Sequence, residues 1–117
     1  GYKAVLAMLR QPDPPTAFVL SSMILGLGAR RAIEETGLKM GRDISLIIHD
    51  DDLSYMKNGD EVPIFTATRS SVREAGRLAA AMLLDIIAGP VQTPSERLME
   101  ADLIIGMSTG PAPQRPQ

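Results

Sequence analysis

The sequence contains no cysteine and no tryptophan, a single histidine, and only two tyrosines and two phenylalanines. The absence of cysteine excludes disulfides, thiol catalysis and thiolate metal sites, and it is in keeping with a cytoplasmic protein. Because methionine occurs seven times and aromatic residues are few, we expect a core built from aliphatic and adaptable side chains.

Long hydrophobic runs and clusters of basic charge are also missing. No apolar run approaches the roughly 20 residues of a membrane-spanning helix, so we expect no membrane partner. The 12 basic and 14 acidic residues are dispersed along the chain, so we do not expect the segment itself to bind the phosphate backbone of nucleic acid.

The 117 residues suffice for one small domain or one lobe of a larger one. The chain starts inside a helical pattern without an initiator methionine, and we therefore expect further residues upstream.

Strand and helix patterns alternate along the chain. Apolar β-branched runs predict three strands, at Thr16–Leu20, Ile44–Ile48 and Ile64–Thr68. Helical spacing predicts three helices, at Gly1–Arg10, at Ser22–Thr36 and after Ser71 up to Gly89-Pro90. Weaker strand candidates are Glu96–Glu100 and Leu103–Gly106, and residues 53–62 and 110–117 are predicted to be a loop and a frayed tail. This order favours an α/β fold with parallel strands and right-handed crossovers.

Local signals mark the ends of two helices. Ser22 is a predicted N-cap, and Ser71 with Glu74 forms a predicted capping box. Gly26 and Gly28 are costly inside a helix, which indicates close approach of another backbone, either within the chain or from a second subunit.

Polar side chains follow each predicted strand at the point where it ends. Ser21-Ser22, His49-Asp50-Asp51 and Arg69-Ser70 occupy these positions. Carboxyl ends of parallel strands meet at one edge of a sheet, where ligands of open α/β folds bind. A carboxylate there can accept hydrogen bonds from neighbouring hydroxyl groups. Asp50 is therefore the first candidate for binding a small hydroxylated ligand.

Each of these residues also has a purely structural interpretation. Ser22 can be simply a helix cap without a ligand, His49 can pack beside the strand end, and Arg69 can neutralise Asp50. Asp51 and Asp52 fit solvated loop positions as well.

A metal-dependent hydrolase would use His49 and the aspartates as ligands of a divalent ion. Consecutive strand residues point to opposite faces, so His49 and Asp50 are poorly placed to chelate together, and no second histidine exists. We therefore expect no metal, no cofactor and no enzymatic activity.

With these residues in view, nearly the whole chain resembles the lactose-repressor and galactose-repressor family of bacterial transcriptional regulators. The matching stretches are Pro15–Val19, Leu27–Ile33 with Gly37-Leu38, Asp43–Asp51, Pro63–Thr66, Gly76–Ala79 and Ser108-Thr109.

The resemblance implies a periplasmic-binding-protein-like α/β fold, a three-layer sandwich around a parallel sheet. Residues 1–109 are similar to the carboxyl-terminal lobe of the family's effector-binding region, with the amino-terminal lobe and the helix-turn-helix headpiece lying outside this chain. It also implies a homodimer, a small-molecule effector that is often a carbohydrate, and contact with operator DNA only through the headpiece.

Ligand residues carry over by position. Asp50 matches the family's usual hydroxyl acceptor, while His49 replaces the aromatic residue before it. Ser22 stands where the family has asparagine, Ser70 where glutamine is common, and Val72 where an apolar wall residue lies.

Dimer residues carry over in the same way. Leu27 and Arg30 on the second helix, with Glu61 and Ile64 near the third strand, match the surfaces that form the family's homodimer. The alternative function is a periplasmic sugar-binding receptor of a transporter, which shares the fold but is exported and monomeric.

Overall fold

A computed structural model describes residues 1–53, 55–89 and 94–114 of the chain. The elements in chain order are α1 (Tyr2–Leu9), β1 (Ala17–Leu20), α2 (Met23–Glu35), β2 (Ser45–Asp50), β3 (Thr66–Arg69), α3 (Val72–Ala88) and β4 (Asp102–Ile104). Residues 110–114 have no regular structure, while Pro90 and residues 115–117, part of the predicted helix end and tail, lie outside the described residues. No helix in the described ranges is long and apolar enough to cross a membrane.

The four strands form one sheet in the order β1-β2-β3-β4. β1, β2 and β3 are parallel, as predicted, with Val19 opposite Ile47 and His49 opposite Thr68. β4 is antiparallel to β3, which makes the sheet mixed. The predicted strand at Glu96–Glu100 is wrong, because its residues carry no strand pairing in the structure. The predicted α/β class is confirmed.

The predicted strand at Leu103–Gly106 is found as β4, which ends two residues earlier. The end of β2 and the start of β3 also differ from the prediction by two residues each. β2 continues through His49 and Asp50, because both residues pair with β3. β3 begins at Thr66 instead of Ile64, because the Asn58 side chain occupies the backbone hydrogen-bonding groups of Phe65, the residue just before Thr66. Asn58 Oδ1 accepts from the Phe65 N–H at 2.8 Å and its Nδ2 donates to the Phe65 carbonyl at 2.7 Å, so this side chain replaces a neighbouring strand.

Helix α2 has the ends that the sequence predicts. The Ser22 Oγ accepts from the Leu25 N–H at 3.3 Å, and Gly37 follows the helix with φ +78°. Its internal glycines face neighbours within the chain. A Cβ at Gly26 would lie 2.8 Å from the Ile48 side chain, and one at Gly28 would lie 2.8 Å from the backbone of Tyr2 in α1. The close approach is therefore packing of α2 on its own sheet and on α1.

The core lies between the sheet and the layer formed by α1 and α2. Every second residue of β2 is buried on this side, and the largest fully buried apolar side chains are Phe65, Ile33, Leu46 and Ile48. On the other face of the sheet, Val19 of β1 is open to solvent with 83% exposure.

Helix α3 stands apart from this core. Its cap is half of the predicted box: Ser71 Oγ accepts from the Glu74 N–H at 3.1 Å, but the Glu74 carboxylate pairs with Arg77 rather than with the cap. None of its residues is buried, and it packs against no other helix or strand of the described chain. The layer that a three-layer sandwich places on the outer face of the sheet is thus not filled by α3 in this structure.

Ser108 fastens β2 to β3 at their amino-terminal ends. This fully buried hydroxyl donates to the Leu46 carbonyl at 2.6 Å and accepts from the Thr66 N–H at 2.8 Å. It satisfies two main-chain groups that no strand pairing reaches, and an unpaired buried group of this kind costs roughly 1–3 kcal/mol.

We expect Ser108→Ala to lower the free energy of unfolding by roughly 2–4 kcal/mol, because both main-chain groups lose their partner. Ser45→Ala is the matched control, since the Ser45 hydroxyl bonds only the exposed backbone of Gly110 and its loss costs under about 1 kcal/mol. Urea unfolding followed by circular dichroism measures both. Equal losses for the two variants would contradict this role of Ser108.

Candidate functional site

Asp50 is the last residue of β2 and lies at the carboxyl edge of the parallel strands. Its side chain is only 9% exposed. Oδ1 accepts the Asp52 N–H at 2.9 Å, and Oδ2 lies 4.0 Å from Arg69 Nε. A carboxylate has about four acceptor positions, so this pattern leaves Oδ2 able to accept hydrogen bonds from a ligand.

Arg69 ends the neighbouring strand β3 and balances the negative charge around Asp50. Its guanidinium forms an ion pair with Asp52. The hydrogen bond to Asp52 raises the pKa of Arg69 most, and the charges of Asp50 and Asp102 raise it further. Asp52 itself adopts φ +57°, a left-handed conformation that turns its carboxylate back towards β3. The suggestion that Arg69 neutralises Asp50 is met only indirectly, since its short contact is to Asp52.

His49 precedes Asp50 in β2 and uses both ring nitrogens within the protein. Nδ1 is 2.8 Å from Thr68 Oγ1, and Nε2 is 3.2 Å from Ser70 Oγ and 3.3 Å from the Asp51 carboxylate. The ring therefore ties the ends of β2 and β3 together. Among the described residues no group of three or more histidine or acidic side chains is arranged to hold a metal ion.

Ser22 combines its capping role with a position beside the other polar residues. It borders a small cavity of about 80 Å³ together with His49, Asp50 and Asp51. Its Oγ is engaged by the Leu25 N–H but retains a hydroxyl proton for donation. The capping and binding interpretations of this residue are therefore compatible.

The remaining two candidates differ in placement. Ser70 joins the group through its hydroxyl contact with His49 and through its N–H, which donates to the Asp50 carbonyl at 3.1 Å. Val72, the first residue of α3, is 48% exposed and borders neither cavity next to Asp50. The structure thus brings together Ser22, His49 and Asp50 along one cavity, places Ser70 beside His49 but outside both cavities, and leaves Val72 at the margin.

A larger cavity of about 310 Å³ opens on the other side of Asp50 and was not predicted. Its wall is the loop after β2, including Met56, Lys57 and Asp60, with Arg69 opposite. Asn58 holds this loop through its paired hydrogen bonds to Phe65. The Asn58-Gly59 turn signal was the only sequence indication of this wall, and it gave no hint of the contact with Phe65.

The predicted dimer residues lie on a different surface. Leu27 is 46% exposed on α2. Arg30 and Ile64 line a third cavity of about 480 Å³ together with Met107. This cavity lies between α2 and the segment before β3. Glu61 is exposed in the loop that leads to Ile64.

Comparison with known proteins places this geometry in a family. The model of the periplasmic binding protein-like domain matches residues 1–109. The HTH-type transcriptional regulator AglR of Rhizobium meliloti is 46% identical over 115 residues, which cover 98% of this chain and 32% of that protein. The HTH-type transcriptional repressor CytR of Escherichia coli is 36% identical over 114 residues, covering 97% of this chain and 32% of the repressor.

Solved structures agree with these relatives. A LacI family transcriptional regulator from Bifidobacterium animalis subsp. lactis has a TM-score of 0.76 and 28% identity, covering 96% of this chain and 40% of that one. The lac repressor dimer bound to operator and the anti-inducer ONPF has a TM-score of 0.77 and 27% identity, covering 94% and 37%.

The chain spans about a third of the length of the curated relatives it matches. Within that span the resemblance found in the sequence is confirmed, because the family model, the relatives and the solved structures agree. The chain belongs to the periplasmic-binding-protein-like domain family, in the form that LacI-family transcriptional regulators carry.

Proposed function

We propose that the chain is the ligand-sensing and dimerising lobe of a LacI-type transcriptional regulator. The observation that carries this proposal is the Asp50 carboxylate, nearly buried at the carboxyl edge of the parallel strands and flanked by two cavities. Relatives that are named as transcriptional regulators support it over a periplasmic receptor. In this proposal residues 1–109 form the carboxyl-terminal lobe, and operator DNA is bound in the cytoplasm by a headpiece outside the segment.

The proposed ligand is a small hydroxylated molecule of the carbohydrate class. Asp50 Oδ2 accepts its hydroxyl protons, and Ser22 and Ser70 supply short polar groups on either side of His49. The nearby Arg69–Asp52 ion pair keeps the guanidinium charge compensated, so the edge does not favour an anionic ligand over a neutral one.

Such a site works by binding and not by catalysis. A ligand shifts a regulator between two arrangements only by the difference in its affinity for them. Moving an equilibrium from 1:99 to 99:1 requires about a 10⁴-fold difference, or about 5.5 kcal/mol. A few charge-assisted hydrogen bonds to Asp50, at about 1.5–3 kcal/mol each, supply a free energy of this size if they form in one arrangement alone.

The proposed homodimer uses the surface that includes Leu27, Arg30, Glu61 and Ile64. Arg30 and Ile64 line one continuous depression although they are far apart in the sequence, and the exposed methionine Met107 adds apolar area beside them. Leu27 extends this surface along α2 with an exposed aliphatic side chain. A contiguous surface that mixes apolar and charged groups suits a symmetric contact between two copies.

Asp50→Ala in the complete regulator should lower affinity for its saccharide effector by about 10- to 100-fold per hydrogen bond lost. A thermal-shift panel of mono- and disaccharides identifies the effector, and isothermal titration calorimetry measures the affinity. Asp85→Ala is the matched control, because Asp85 is exposed on α3 and borders neither cavity next to Asp50. Unchanged affinity in Asp50→Ala would contradict the assignment of Asp50, and a panel without any response would contradict the carbohydrate class.

Leu27→Asp should convert the regulator from dimer to monomer, because a carboxylate at the centre of an apolar contact is desolvated without a partner. Met8→Asp is the matched control, since Met8 is exposed to a similar degree, 43%, but lies on α1. Sedimentation equilibrium gives the dissociation constants. A dimer of normal affinity in Leu27→Asp would rule out this surface.

A further inference from the structure

The His49 ring lies across the ends of the parallel strands β2 and β3 and contacts three side chains. The residue directly opposite in the register of the two strands is Thr68. Nδ1 is 2.8 Å from Thr68 Oγ1, and Nε2 is 3.2 Å from Ser70 Oγ and 3.3 Å from Asp51 Oδ1. Both ring nitrogens therefore face oxygen atoms of the protein, and one of these oxygens belongs to a carboxylate.

These partners suit a protonated ring as well as a neutral one. A neutral imidazole has one N–H, so its other nitrogen is only an acceptor, whereas a protonated ring donates from both nitrogens. The hydroxyls of Thr68 and Ser70 accept or donate by rotating, while an ionised carboxylate such as that of Asp51 only accepts. Protonation of His49 therefore keeps the hydrogen bonds of the ring and adds an attraction to Asp51.

The charges around the ring also favour a proton. The cavity of about 80 Å³ beside His49 is bordered by the carboxylates of Asp50 and Asp51, and by no lysine or arginine of the described chain. Its other lining residues are uncharged at neutral pH, only the tyrosine among them being titratable: Ser22, Met23, Ile24, Leu53, Tyr55 and Met56. Arg69 of β3 borders only the larger cavity, where it is paired with Asp52. Within the smaller cavity, His49 alone can supply a compensating positive charge.

Ser70 connects the His49 ring to Asp50. Its hydroxyl lies 3.2 Å from His49 Nε2, and its N–H donates to the Asp50 carbonyl at 3.1 Å. The Val72 N–H donates in the same way to the Asp51 carbonyl at 3.2 Å. A firmer hold of the ring on Ser70 and Asp51 therefore also restrains the backbone that carries the Asp50 carboxylate.

We propose that His49 is a proton-dependent positioning residue for Asp50: when its ring takes up a proton, the ends of β2 and β3 are held together more firmly and Asp50 is fixed in its binding position. Histidine is the side chain whose ordinary pKa lies between pH 5 and 8, and the chain contains only this one. The consequence for ligand binding rests on the proposed function of Asp50, whereas the effect on the strand ends does not.

Urea unfolding of the 117-residue chain at about pH 5.5 and about pH 7.5 tests the proposal without a ligand. His49→Phe keeps a planar ring but cannot take up a proton. Relative to this variant, the folded-to-unfolded equilibrium constant of the unsubstituted chain should rise at least about threefold at the lower pH, because the ring charge stabilises the folded state and is lost as the pH rises. The factor is modest since the side chains of His49 and Asp51 are 33% and 43% exposed to water. Equal responses of the two proteins would overturn the proposal.

Two carboxylate variants identify the source of the response. Asp51→Asn keeps the shape of the side chain and removes its charge, so it should abolish most of the pH response. Asp60→Asn is the matched control, because Asp60 borders only the larger cavity, and it should leave the response in place. This pair also decides the matter if circular dichroism shows that His49→Phe does not fold. The same response in both variants would contradict the role of the charge on Asp51.

The Ser70 amide reports on Asp50 directly, because it donates to the Asp50 carbonyl. Its hydrogen-exchange protection factor, measured by NMR and corrected for the intrinsic pH dependence of exchange, should be about threefold or more higher at the lower pH. In His49→Phe it should not change with pH, an outcome that a purely structural role of His49 does not predict. A protection factor of Ser70 that is independent of pH in the unsubstituted chain would show that His49 does not act on Asp50.

The complete regulator tests the consequence for binding. The saccharide selected by the thermal-shift panel, which is neutral and does not itself titrate, should bind at least about threefold more tightly at about pH 5.5 than at about pH 7.5. His49→Phe should remove this difference. An affinity that does not depend on pH would overturn the coupling to ligand binding. A panel without any response contradicts the proposed ligand class instead, and the measurements without a ligand then still decide the role of His49.

Discussion

The pairing of β2 with β1 and β3 is the constraint on which the other features depend. It carries His49 and Asp50 into the strand and fixes the edge at which the polar residues of three elements meet. Ser108 secures the opposite end of the same pair of strands, and Asn58 secures the residues just before β3. Two side chains, Ser108 and Asn58, thus determine where the pairing of β2 with β3 starts.

A nearly buried carboxylate at such an edge is costly unless hydrogen bonds and charges compensate it. Asp50 receives one backbone N–H from Asp52 and has a guanidinium at 4.0 Å, which offsets the loss of water without saturating its oxygens. His49 has no such spare capacity, because Thr68, Ser70 and Asp51 surround its two nitrogens. The two neighbouring residues therefore have different roles: His49 holds the ends of β2 and β3 together, and Asp50 is available for a ligand.

The sequence predicted what is encoded locally. The capping residue Ser22 and the helix end at Gly37 were correct, because each depends on residues close together in the chain. The parallel direction of β1, β2 and β3 was also correct, because it follows from the alternation of strands and connections along the chain. The limits of β2 and β3 were wrong by two residues, since they depend on pairing and on a contact between Asn58 and Phe65. The same contact holds the loop that forms the wall of the 310 Å³ cavity, and the turn signal at Asn58-Gly59 did not reveal it.

Helices α2 and α3 show why an apolar stripe alone does not determine burial. Both have the spacing of an amphipathic helix and a serine cap. In α2 the side chains at Ala29, Ala32 and Ile33 are completely buried, because Gly26 and Gly28 let the helix lie directly against β2 and α1. In α3 the stripe is as continuous, but Gly76 has no neighbour within 4 Å of where a Cβ would stand. Periodicity therefore identifies the face that a helix can bury, while the surface that covers it is a property of the whole assembly of layers.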